Sequence, residues 1–102
     1  MNYTLRILPA AEEEDAATIE WLAAHASPDR AVAYAAAISK ALDEILELPF
    51  AWPRWRALPD VRVRHLRGIS YSIFYRVRER VVLVIAFAHM SRHPGYWLDR
   101  IR

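Results

Sequence analysis

The run Val81–Ala88 (VVLVIAFA) constrains the fold of this chain more than any other stretch. It is apolar at every position and has the length of a strand, far short of the ~20 residues needed to cross a bilayer. A strand that is apolar on both faces belongs in the middle of a sheet covered on both sides. The rest of the chain must therefore supply two covers. Helices provide one. Ile19, Leu22, Ala23 and Ala26 fall at i, i+3, i+4, i+7, and Tyr34, Ala35, Ile38, Leu42, Ile45 and Leu46 form a second stripe of the same period. The other cover is left to the C-terminal segment, to a partner, or to both.

Local signals set the boundaries. Tyr3 to Leu8 reads as a short strand, and Pro9 suits the first turn of a helix whose early residues Glu12, Glu13, Glu14 and Asp15 favour its positive end. Ser27 can cap a second helix with Pro28 in its first position, and Pro49 ends that helix. Residues 49–60, with Pro49, Pro53, Pro59, Trp52 and Trp55, read as a semi-rigid loop. Three strands follow. The first alternates Val61, Val63, His65 with Arg62, Arg64, Leu66, giving it a cationic face. The second runs from Ile69 to Arg76 after a turn at Gly68, and the third is Val81–Ala88, reached by a turn near Arg78-Glu79. Pro94-Gly95 breaks the chain, leaving Tyr96 to Arg102 as a short tail or helix. The expected fold is a single α+β domain over residues 1–102: an N-terminal strand, a helical hairpin, a three-stranded antiparallel meander and a short tail.

The net charge of +2 hides an asymmetry. Residues 1–50 carry three cations against nine acids, and residues 51–102 carry eleven arginines against three acids. Arginine presents a planar, permanently charged fork suited to phosphates, carboxylates and aromatic faces. The basic half therefore reads as a surface for nucleic acid or an acidic protein, or as a sheet that complements acidic helices. Arg54, Arg56, Arg62, Arg64, Arg67 and Arg76 are the candidate target-binding residues. Without cysteine there is no disulfide framework, which fits a reducing cytoplasm. The N-terminal stretch lacks the basic start and apolar run of a secretory leader. His89 and His93 are separated from any helical spacing by Pro94 and have no carboxylate pair nearby, so neither a metal nor a cofactor is expected.

Taken together, Leu8-Pro9-Ala10 leading into the acidic helix start, Leu48-Pro49 before a Pro-rich loop, the stretch Val63 to Val77, and Val82–His89 followed by Met90-Ser91-Arg92-His93-Pro94 resemble the RelE/ParE toxin family over nearly the whole chain. The resemblance implies a small growth-inhibiting toxin neutralised by a cognate antitoxin in a hetero-oligomer. Its target would be either DNA gyrase, as for ParE-like members, or messenger RNA in the ribosomal A site, as for RelE-like members. A binding module that keeps the fold without activity is the remaining alternative. RelE-like toxins cleave RNA largely with Arg, Lys and a C-terminal Tyr, which here point to Arg92 and Tyr96. His89 and His65 add general-base candidates because imidazole titrates near neutrality. The RelE-type pattern places an Arg between the first aromatic of the central strand and its following apolar stretch, and this chain has Ser72 there, in Tyr71-Ser72-Ile73-Phe74-Tyr75. That departure shifts the reading towards a ParE-like toxin. Arg76 shares strand parity with Ser72 and is the candidate replacement cation. Tyr96 and Trp97 read first as anchors of the tail on the sheet and only second as catalytic groups.

Overall fold

The computed structural model describes residues 2–102, so residue 1 of the expected domain lies outside the described residues. The elements run β1 (Thr4–Ile7), α1 (Pro9–His25), α2 (Pro28–Glu47), β2 (Arg54–Trp55), β3 (Leu58–His65), β4 (Tyr71–Arg78) and β5 (Val81–His89), with a 3-10 turn at Leu98–Ile101. They form one five-stranded sheet in the order β1-β5-β4-β3-β2. β1 lies parallel to β5, and the β2-β3-β4-β5 ladder is antiparallel. The expected α+β order of strand, helical hairpin and meander is the one observed.

The helices start where the sequence signals place them. Ser27 is extended and its side chain accepts a hydrogen bond from Arg30 N at 3.1 Å, as a cap should. The α2 stripe is buried through Tyr34, Ile38 and Ile45, with Ala31 and Ala41 beside it. On α1 the stripe holds for Ile19 and Leu22, which pack against the core, but Ala23 is exposed. Ala26 lies past the helix end, at the corner of the hairpin. The loop reading of residues 49–60 needs correction. Arg54–Trp55 pairs with β3, and β3 itself begins at Leu58. β2 is the edge strand of the sheet, where proline is tolerated, and the Pro53 carbonyl still accepts from the Val63 N–H at 2.9 Å.

β5 is central, with cover on both faces. Towards the helices, Val82, Val84 and Phe87 join Tyr34, Ile38, Ile45, Ile73 and Tyr75 in the main core. On the opposite face, Ile85 and Ala86 join Val61 and Trp97, with Trp55, Phe74, Leu98 and Ile101 around them. The C-terminal tail is therefore the second cover. Trp97 is fully buried there, its ring 4.9 Å from both Trp55 and Phe74. Gly95 makes the approach possible. It has φ +79°, and a Cβ would lie 3.0 Å from Leu98 Cδ1 and 3.2 Å from Trp55 Cη2.

Two adjustments shape the sheet. Pairing passes from Phe74–Ala86 to Tyr75–Val84, so Ile85 is an extra residue in β5, a bulge that sends Ile85 and Ala86 to the same face. The β4–β5 hairpin turns through Glu79 and Arg80, both with positive φ (48° and 69°), the geometry of a two-residue turn that matches strand twist.

Candidate functional site

The tail is locked to the body through Glu14. β1 pairs with β5 only as far as Val84, because Pro9 turns the chain into α1. Past that point the outer edge of β5 has no strand beside it. The Phe87 N–H instead donates to Glu14 Oε1 at 3.1 Å, and the Ile85 carbonyl accepts from Arg100 Nη1 at 3.0 Å. Arg100 also grips Glu14 with both prongs, at 2.8 and 2.9 Å. The Tyr96 hydroxyl donates a short hydrogen bond to the same carboxylate. Burial, then the neighbouring Glu14, push the Tyr96 phenol well above its ordinary value, so it keeps its proton. Arg92 stacks over the Tyr96 ring, 3.7 Å from its centroid. Nothing in the sequence marked Glu14 or Arg100 as special. Glu14 looks like one more acid in a helix's first turns, and its function appears only when residues 86 apart in the chain meet.

Beside this lock lies a groove of about 200 Å³ lined by His65, Ser72, His89, Arg92, His93 and Tyr96, with Trp55, Phe74 and Trp97 as its apolar wall. The three residues expected as catalytic, Arg92, Tyr96 and His89, are thus brought together. Ser72 is 4% exposed, and its hydroxyl lies 2.6 Å from His65 Nδ1 on the neighbouring strand. His89 Nδ1 accepts the Ser91 N–H at 3.0 Å, which leaves its proton on Nε2, and its ring meets Tyr71 edge-on. A larger cavity of about 680 Å³ opens between the helical hairpin and the β3–β4 turn, lined in part by Trp21, Tyr34, Ile69 and Tyr71.

The six arginines expected to bind a target do not form one surface. Arg62 and Arg64 make up the cationic face of β3, and that face turns towards the helices. Arg64 binds Glu44 at 2.5 Å and lies 4.1 Å over the Trp52 ring, and its guanidinium holds Glu44 below the usual carboxylate range. Arg62 donates to the carbonyls of Phe50 and Trp52 at 3.1 and 2.8 Å. Both serve to tie the 49–55 segment down. Arg54, Arg56 and Arg67 are exposed, with Arg54 reaching the Pro59 carbonyl at 3.4 Å. Arg76 does share a face with Ser72, but it stands four residues along the strand, ~13 Å away. It does not restore a cation to the groove at Ser72.

The fold has relatives. The family model of the ParE toxin of type II toxin–antitoxin systems, parDE, matches residues 5–94. Among curated proteins nothing matches the chain. Among solved structures, a chain of the chromosomal ParDE system from P. aeruginosa superposes with TM-score 0.78 at 15% identity, covering 88% of this chain and 98% of that one. A double mutant of the E. coli toxin RelE in the free state gives TM-score 0.68 at 24% identity, with 100% of both chains covered. The same mutant bound to an antitoxin RelBc peptide gives 0.64 at 23%, covering 100% of this chain and 97% of that one. At these identities the structural likeness speaks for the fold, while the family match spans most of the sequence. The chain belongs to the ParE toxin family of type II toxin–antitoxin systems.

Proposed function

We propose that this toxin arrests bacterial growth by engaging DNA gyrase in the cytoplasm, and that a cognate antitoxin neutralises it by forming a hetero-oligomer with it. The observation that carries the target is the state of the tail groove. Tyr96 keeps its proton and spends it on Glu14, Arg92 is stacked on Tyr96, and a buried Ser72 occupies the position of the RelE-type arginine. Cleavage of RNA through its 2′-hydroxyl needs a free base, a free acid and cations at the phosphorane, and this arrangement commits the acid elsewhere. Antitoxin partnering is supported by the ParDE system of P. aeruginosa and by the RelBc-bound RelE structure.

The second reading is a ribosome-dependent mRNA endoribonuclease using Arg92, Tyr96 and His89. It is favoured by one observation: His65, His89, His93 and Arg92 rim a single groove. Inducing the toxin without antitoxin separates the two. Loss of supercoiling by purified gyrase, with intact transcripts in arrested cells, supports the proposal. Translation-dependent cuts in messenger RNA with unimpaired gyrase overturn it.

A further inference from the structure

Ser72 and His65 face each other across β4 and β3, paired in register. The Ser72 hydroxyl lies 2.6 Å from His65 Nδ1, and among the described residues neither side chain has another hydrogen-bond partner. Ser72 is 4% exposed, so water offers its proton little alternative. A buried donor without an acceptor is costly. The hydroxyl therefore donates to Nδ1, and the imidazole proton sits on Nε2. This is a nucleophile with its base already in place. The pair is not sealed inside the core. Ser72 shares the tail-side face of β4 with Phe74, and both residues, together with His65, line the groove of about 200 Å³ beside the tail.

We propose that Ser72 is the nucleophile of an acyl-transfer site, with His65 as its base and small activated esters as substrates. Ser72 Oγ forms a bond to the ester carbonyl carbon while its proton passes to His65 Nδ1. The carbonyl π pair moves onto oxygen, then returns and expels the alcohol oxygen, which takes the proton from Nδ1. Water attacks the acyl-Ser72 by the same route, releasing the acid and restoring the hydroxyl. Three features set the substrate class. Trp55, Phe74 and Trp97 form an aromatic wall that suits a flat apolar group. Among the described residues no carboxylate lines the groove, and Arg92 is its one permanent cation, available to the charge that develops on the carbonyl oxygen. A phosphoryl donor, with several charges to match, calls for more cations than that. His65 also lacks the carboxylate that orients the imidazole in a Ser-His-Asp triad. The dyad therefore suits esters with good leaving groups and not amides. This chemistry does not depend on which cellular target the toxin acts on.

The test incubates the purified whole toxin with p-nitrophenyl acetate. It follows nitrophenolate release and maps the acetyl group by mass spectrometry of the intact chain and its peptides. One acetyl per chain is expected, on Ser72. Ser72→Ala, checked by thermal melting, should abolish it. Ser72→Cys, which keeps a nucleophile of similar size, should carry the acetyl at the same position. His65→Gln should slow acylation about 100-fold or more, and His65 is exposed enough for the change to be tolerated. Ser91→Ala removes the other serine beside a histidine and should change nothing. Acetyl found only on Ser91, a histidine, a tyrosine or the terminal amine overturns the proposal. So does acylation of Ser72 at an unchanged rate in His65→Gln, or a correctly folded wild-type chain that stays unmodified.

Discussion

Glu14 near the start of α1 and Arg100 near the end of the chain meet in a two-pronged ion pair, with N–O distances of 2.8 and 2.9 Å and both side chains at most 20% exposed. Because Glu14 also takes the Tyr96 hydroxyl and the Phe87 N–H, its carboxylate joins helix, central strand and tail. Replacing it with Ala leaves the Arg100 charge without its carboxylate, held only by the Ile85 carbonyl, and frees two donors. The expected loss is about 3 kcal/mol, in the range for breaking a mostly buried pair. Denaturant melts of Glu14→Ala, Arg100→Ala and the double variant check this. The double should cost clearly less than the two singles added together.

Tyr96→Phe removes one of the hydrogen bonds to Glu14 and leaves the Arg100 clamp intact. A cost of about 1 kcal/mol is expected, with growth arrest unchanged on induction. Loss of arrest by a variant that melts near the wild-type temperature would instead make the phenol part of the chemistry.

Trp97→Ala opens the second core at its largest fully buried side chain. A cost of about 3–5 kcal/mol is expected. Gly95→Ala should also destabilise, because it requires a positive φ and a Cβ crowded by Leu98 and Trp55. A melt showing either variant to be neutral would mean that the tail does not stay docked in solution.

Asp15 faces Tyr34 across the helix pair, and both Asp15 Oδ1 and the Tyr34 hydroxyl are shut off from water without a well-formed hydrogen bond. Burial raises the Asp15 pKa above its ordinary value. The folded state thus holds this proton more tightly than the unfolded state. Its contribution to stability is full below the ordinary carboxylate range and is lost as pH rises through the raised value. Asp15→Asn should remove that loss, stabilising the toxin at pH 7 by roughly a few tenths of a kcal/mol after solvent screening. The gain should shrink in melts at lower pH.

Glu79 and Arg80 turn the β4–β5 hairpin with positive φ at two ordinary residues. The double substitution Glu79→Asn/Arg80→Gly installs the Asn-Gly dipeptide that such a turn favours, and should stabilise by about 1 kcal/mol. A change of the opposite sign in urea melts would show that the Arg80 guanidinium, 5.8 Å from the Tyr3 ring, contributes more than the backbone strain costs.

Much of this architecture was legible in the residues. The two-sided apolar run of β5, the Ser27-Pro28 restart and the Pro94-Gly95 break gave the element order, and the need for a second cover left it open between the tail and a partner. Short-range signals sufficed there because caps, turns and periodicity act over a few residues. What stayed hidden depended on distant meetings. The arginines of β3 looked free until the sheet turned them towards Glu44 and the Trp52 loop. Glu14 looked like dipole compensation until the tail folded onto it. The β2 pairing escaped notice because two residues between prolines carry no periodic signal.

The extra residue at Ile85 has one more consequence. β5 consists of two half-strands in antiphase: through residue 85 the odd positions look towards the tail, and from residue 86 the even ones do. Counting side chains by twos across that point gives the wrong face for everything downstream, including Phe87. Removing Ile85 would merge the halves into one regular strand with every other side chain keeping its side. Removing Leu83 or Phe87 instead would turn one half inside out. A single-residue deletion at position 85 should therefore be the mildest anywhere in the strand.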